Sequence, residues 1–186
     1  MYETRVASRY AKSLLQLAAE KNVLDFVIYD MNMFAGICKE NPAFVRTLKN
    51  PIINHDKKLS ILRRLFDGNV NPLTLSLFEI ITRKNREAYL PDIATEFIRQ
   101  YRAMKNIVQA EVTTAVPLND ELRTLFRNVI SESTQGKTVE IIEKVNPDII
   151  GGFIIKIDDK QLDQSIQTKL KQIKNKLNEH SYISKY

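Results

Sequence analysis

Residues 107–116 read IVQAEVTTAV, and this run divides the chain into two kinds of pattern. Val108, Ala110, Val112, Thr114 and Val116 fall on one face of a β-strand, which Pro117 ends because it has no N–H to give a sheet. Before the strand, apolar positions recur every three and four residues, the period of a helix. That spacing predicts six helices, at residues 4–20, 23–39, 42–48, 55–66, 72–85 and 87–105. Asn41-Pro42 and Asn71-Pro72 mark two of the starts, with Asn as the cap and Pro in the first turn, where its missing donor is not needed.

After the strand comes a helix capped at Asn119, with an apolar face of Leu122, Leu125, Phe126 and Val129. A strand TVEIIEKV at 138–145, a turn at Asn146-Pro147-Asp148 and a strand-like run IIGGFIIKI at 149–157 follow. Asp158-Asp159-Lys160 turns the chain into a last helix at 165–178, whose narrow apolar stripe is Ile166, Leu170, Ile173 and Leu177. The expected fold is mainly α with a C-terminal α/β domain: an N-terminal six-helix bundle at 1–105, then a small sheet-plus-helices domain at 106–186. No Gly- or Ser-rich linker lies between them, so the joint at Lys105-Asn106 is expected to be short.

The chain has 186 residues, 44% of them hydrophobic, enough for a real core without disulfide or metal staples. A lone cysteine, Cys38, cannot form an internal disulfide, and with only His55 and His180 beside it no zinc cage can be assembled. No window approaches the roughly 18 apolar residues of a membrane span, and Glu3 interrupts any signal-like start, so an intracellular protein is expected. The net charge of +6 resides in residues 1–105, where 17 Lys+Arg face 11 Asp+Glu; residues 106–186 hold 11 of each. The cations are dispersed, with no long run and no interleaved aromatics, which reads as a solvated surface rather than a nucleic-acid track.

No catalytic constellation emerges. Gly151-Gly152 matches neither a phosphate loop nor a dinucleotide fingerprint and is expected to mark a bulge or a close backbone approach within a sheet. Both histidines read as surface residues, and Cys38 beside Phe34 and Ile37 reads as a small core hydrophobe. Two helices carry more apolar surface than one core contact needs. In the first, Val6, Ala7, Tyr10, Ala11, Leu14, Leu15, Leu17 and Ala18 span an arc of about 180°; in the fifth, Leu73, Leu75, Leu77, Phe78, Ile80 and Ile81 span about 220°, against the usual ~100°. Either these are central helices of the bundle, or they lie side by side and leave a groove for a partner's amphipathic helix.

Three segments carry a resemblance. Ala7-Ser8-Arg9-Tyr10-Ala11-Lys12-Ser13-Leu14, the run Val145–Ile157 around Asn146, Pro147, Gly151 and Gly152, and Leu162-Asp163-Gln164-Ser165-Ile166 resemble the family of the delta subunit of bacterial F-type ATP synthase, which includes the mitochondrial oligomycin-sensitivity-conferring protein. The similarity runs over essentially the whole chain. It departs at Asp158-Asp159 and at Gln164, where the family tends to have Gly.

The resemblance implies a non-catalytic stator without cofactor or metal, coupling rotation to ATP synthesis and hydrogen ion transport. The bundle would receive the N-terminal helix of the catalytic head's alpha subunit in a groove lined by Val6, Tyr10, Ser13, Leu14, Leu17, Leu77, Ile80, Ile81 and Lys84. Asn146, Pro147, Gly151, Gly152, Asp163 and Ser165 would be the structural signature. The stripe Ile166, Leu170, Ile173 and Leu177 would contact the peripheral stalk's b subunit, or else cover the domain's own sheet. One copy would sit in a hetero-oligomeric complex, peripheral to the cytoplasmic side of a bacterial inner membrane, with no membrane insertion and no nucleic acid. The competing reading is a small basic RNA-binding or ribosome-associated factor, which a basic stripe and steep salt dependence would support.

Overall fold

The computed structural model describes residues 2–134, 137–157 and 159–180. The chain forms two compact units, Met1–Lys105 and Asn106–Tyr186. In the first unit the helices are α1 (Tyr2–Glu20), α2 (Leu24–Glu40), α3 (Pro42–Lys49), α4 (His55–Phe66), α5 (Pro72–Arg83) and α6 (Leu90–Met104), with a 3-10 turn at Glu87–Tyr89. The sixth helix is thus shorter than its periodicity suggests. Pro91 occupies the first turn of α6, so the preceding residues close as a tighter turn instead.

Of the two Asn-Pro starts, only the second behaves as a cap. Asn71 accepts the Leu73 N–H, whereas Asn41 caps nothing at α3 and turns its Nδ2 back to the Ile37 carbonyl at 3.2 Å, closing α2. A second acceptor reinforces α5 from outside. Asp30 on α2, 4% exposed, accepts from Asn71 N at 2.8 Å and Thr74 Oγ1 at 2.7 Å, placing a carboxylate at the positive end of the helix.

One core runs through all six helices. Ala7, Ala11 and Ala18 of α1 give α6 a smooth surface to lie against, and Phe34 gathers Phe44, Phe66 and Phe78 at centroid distances of 4.9 to 6.1 Å. Cys38 is half-buried, and burial pushes its thiol up to about 11, which leaves it unreactive.

A polar tie joins α1 to α6. Glu96 accepts from Arg99 at 2.7 and 2.8 Å and from Gln100 at 2.9 Å, and Gln100 in turn reaches the Ser8 carbonyl at 3.1 Å. The Arg99 hydrogen bond above all, with help from Gln100, holds the Glu96 carboxyl at about 2 against an ordinary 4.5. A depressed folded-state value means that this contribution is complete above 4.5 and disappears as pH falls toward 2. The urea midpoint of the bundle is therefore expected to fall over that window, and Glu96→Gln to flatten the fall; an unchanged acid profile in the variant would show the tie to be idle.

The second unit comprises β1 (Ile107–Thr114), α7 (Asp120–Ser133), β2 (Thr138–Val145), β3 (Phe153–Ile157), β4 (Lys160–Asp163) and α8 (Ile166–His180), with a 3-10 turn at Pro147–Ile149. The sheet order is β2-β1-β3-β4. β1 and β2 are parallel, joined over α7, and the remaining pairs are antiparallel. Alternation along β1 puts Val108, Ala110, Val112 and Thr114 inward, where Phe126 and Ile130 of α7 and Ile155 of β3 complete the core. The opposite face mixes Ile107, Ile142 and Ile154 with polar side chains, among them Lys144 paired to Glu111 at 2.9 Å.

Three expectations change here. β4 forms where only a turn was expected beyond Asp159, and Asp158 itself lies outside the described residues. Gly151-Gly152 lies before β3 rather than within a strand, after Ile150 at φ +68°. Finally, of the predicted α7 face only Phe126 is buried; Leu122, Leu125 and Val129 are exposed, because the arc from Leu125 to Ile130 spans about 140° and the sheet covers only the edge with Phe126 and Ile130.

Candidate partner-binding surfaces

The bundle's surface is built on α1 and α5. The main backbone neighbours of α1 are α6 and α2, and those of α5 are α4 and α2. What they share is the core and the 3-10 turn Glu87–Tyr89, which touches both.

The candidate groove residues separate by burial. Leu14, Leu77 and Ile81 are 3%, 9% and 0% exposed and belong to the core, so they do not line an open groove. The core takes the middle of each wide arc. Leu17 and Ile80, at the edges, are 38% and 49% exposed. Between these extremes, Val6 and Tyr10 are half-buried, and Arg86 Nη1 donates to the Tyr10 hydroxyl at 2.9 Å, with the guanidinium also 5.9 Å from the ring centroid. Ser13 is exposed, its hydroxyl donating to the Arg9 carbonyl, and exposed Lys84 caps the end of α5. The rim is basic, since Arg9, Arg83 and Lys84 are exposed while the only α5 carboxylate, Glu79, is taken by Arg63 at 2.6 Å.

In the second unit the signature residues converge on the start of α8. Asn146 accepts from Asp148 N to form the turn after β2, in which Pro147 opens the 3-10 turn. Asp163 accepts from Ser165 N at 2.9 Å and Thr168 Oγ1 at 2.9 Å, and the buried Ser165 Oγ accepts from Thr168 N. These hydrogen bonds hold the Asp163 carboxyl below its usual range. Gly152 makes the arrangement possible. At φ +76°, a Cβ there would lie 2.3 Å from the Gln164 carbonyl oxygen, and one on Gly151 would lie 2.7 Å from Ile166 Cδ1. The close approach expected for the Gly pair is present, but to the turn before α8.

α8 itself displays its stripe. Ile166, Leu170, Ile173 and Leu177 are 42%, 52%, 55% and 64% exposed, so the stripe does not serve to cover the sheet. Sequence reading missed the exposed α7 face, although the 140° arc was a sufficient signal. It also missed a cleft of about 590 Å³ beside α7, floored by Val108, Ile130 and Ile155 and edged by Ser133, Lys137 and Lys160. His55 is exposed beside Asp56, and among the described residues no group of three His, Cys, Asp or Glu is placed to hold a metal ion. No described helix is long and apolar enough to cross a membrane.

Comparison with known proteins adds a second line of observation. The family model described as ATP synthase delta (OSCP) subunit matches residues 6–177. ATP synthase subunit delta of Cytophaga hutchinsonii is 46% identical over 179 residues, covering 96% of this chain and 97% of that one. The corresponding subunit of Christiangramia forsetii is 32% identical over the full length of both. Among solved structures, a chain of the Toxoplasma gondii mitochondrial ATP synthase hexamer has the same fold, with a TM-score of 0.69 and 22% identity over 92% of this chain and 96% of that one.

Proposed function

The chain belongs to the ATP synthase delta (OSCP) subunit family, and from that premise we propose that its two units are the two ends of a stator tether, α1 and α5 gripping the head and α8 the stalk. It is a structural, non-catalytic subunit of the F-type ATP synthase, a peripheral component of that complex linking the catalytic head to the peripheral stalk. That membership decides against the RNA-binding reading. A rotating central stalk does work on the head only while the head is held still, so the task requires two durable interfaces and no reacting group.

The head's alpha subunit is the partner assigned to the bundle, through its N-terminal helix lying along the edges of α1 and α5. The exposure of Leu17 and Ile80, each next to fully buried residues of the same arc, carries this reading. The b subunit is assigned to the α8 stripe. A pull on α8 would pass into the sheet through the Asp163, Ser165 and Gly152 junction. The location that goes with these partners is the cytoplasmic side of a bacterial inner membrane.

Calorimetric titration with a synthetic peptide of the alpha subunit's N-terminal segment tests the head contact. Leu17→Asp and Ile80→Asp each put an unpaired charge into a contact that should be dry, with an expected loss of ~2 kcal/mol or more of binding. The bundle keeps Ala7, Ala11, Leu14 and Leu15 in its core, so its thermal midpoint should hardly move. Undiminished binding by the folded variants would remove the groove assignment.

A further inference from the structure

We propose that α8 is one member of a heterotypic coiled coil in which it faces a stalk helix with carboxylates flanking its apolar seam; this rests on reading α8 as the surface that faces the stalk. Ile166, Leu170, Ile173 and Leu177 follow one another at steps of four, three and four, which is a heptad seam with Ile at d and Leu at a, the arrangement that favours bundles of three or four helices over a pair. The seam spans only about 60°, narrower than the apolar face of a helix lying on a sheet and the width of a coiled-coil seam. Its exposure rises with distance from the anchored start of α8, from 42% at Ile166 to 64% at Leu177.

The flanks choose the partner. Positions e and g are Gln167, Lys169, Lys174 and Lys176, three exposed cations and no carboxylate. None of these lysines is in an ion pair among the described residues. A second copy of this chain would bring lysine against lysine along both edges, so self-pairing is opposed. An anionic lipid surface would satisfy the lysines, but a helix lying in a membrane interface needs a broad apolar face, and this one is a seam. The remaining occupant is a helix with a matching Leu/Ile seam and Glu or Asp beside it.

The test uses the full chain and two synthetic helical peptides with identical Leu/Ile heptad seams, one with Glu and one with Lys at e and g. The Glu peptide is expected to bind at least about tenfold more tightly at low salt, with the gap closing in high salt. Lys169→Glu/Lys174→Glu/Lys176→Glu, changes confined to an exposed helix face, should reverse the preference. Equal binding of both peptides, self-association abolished by Leu170→Asp, or preference for phosphatidylglycerol vesicles over the Glu peptide would overturn the proposal. A parallel titration with the cytoplasmic segment of the b subunit separates the two levels. Binding that ignores the triple reversal defeats the charge pairing and leaves the stalk contact standing. No binding of that segment, with the Glu peptide still discriminated, defeats the stalk reading instead.

Discussion

Gly152→Val is expected to unfold the second unit while leaving the bundle intact. Gly152 sits at φ +76°, where an L-residue pays roughly 1–2 kcal/mol and a β-branched one more. The steric term is the larger one. The new Cβ would meet the Gln164 oxygen at 2.3 Å, the Gln164 carbonyl carbon at 3.2 Å and Ser165 Cα at 3.3 Å, all backbone atoms. They cannot swing aside as a side-chain tip would, because Gln164 N is bonded to the Phe153 carbonyl at 2.9 Å and Ile166 N to the Gly151 carbonyl at 3.0 Å. Relief means breaking both bonds and lifting α8 from the sheet, so a total above ~3 kcal/mol is expected, a large part of the stability of a small domain.

Urea denaturation of the full chain provides the measurement. With two units of separate core, two transitions are expected, and Gly152→Val should abolish the one belonging to residues 106–186 and preserve the other. Gly152→Ala should lose most of the same stability. Gly36→Ala is the control, since nothing lies within 4 Å of that position on α2 and the change should be neutral or slightly stabilising. A wild-type profile for Gly152→Ala would show that the close approach at α8 has slack.

That the Gly pair was informative could be read in the sequence; where its neighbour lay could not. Periodicity located all eight helices of the described residues, because the spacing of apolar residues records an apolar face whether it is buried, as in α1 to α6, or displayed, as in α8. It located β1 through alternation, although the strand ends at Thr114 and Val116, placed on its inward face by the same alternation, is exposed. β4 escaped because KQLD carries no alternation to read, its pairing being dictated by β3. The wide apolar arcs of α1 and α5 are half legible. An arc of about 180° announces more apolar surface than one contact needs, but which portion faces the core depends on the neighbours that α1 and α5 find; Leu14, Leu77 and Ile81, which the family resemblance assigns to the groove, lie in the core. Asn41 was misread on similar grounds, its amide having the choice between closing α2 and opening α3. Long-range polar ties were invisible altogether. Nothing local to Asp30 or Gln100 says that they reach Thr74 and Ser8.

The strongest such tie supports the other large effect. Lys58 of α4, 2% exposed, donates to Glu87 Oε1 at 2.7 Å and to the Leu48 carbonyl at 2.9 Å, pinning α4 to the end of α3 and to the turn before α6. Lys58→Met keeps the stem's volume and removes the charge, leaving a 7% exposed carboxylate with no counter-ion. The expected loss is about 3–5 kcal/mol, most of it the cost of that stranded charge rather than the worth of the pair. Hence the double change Lys58→Met/Glu87→Leu should recover nearly all of it. The wild-type pair is imperfectly satisfied, since Glu87 Oε2 has no partner, and an apolar replacement removes that deficit while giving up one donor to Leu48. A double-mutant cycle by urea denaturation checks this through a coupling energy of about 2 kcal/mol or more. A loss below about 1 kcal/mol for Lys58→Met would mean that Glu87 finds water once unpaired. The tie also holds the Glu87–Tyr89 turn, which lies against both α1 and α5 and follows the Arg86 that donates to Tyr10.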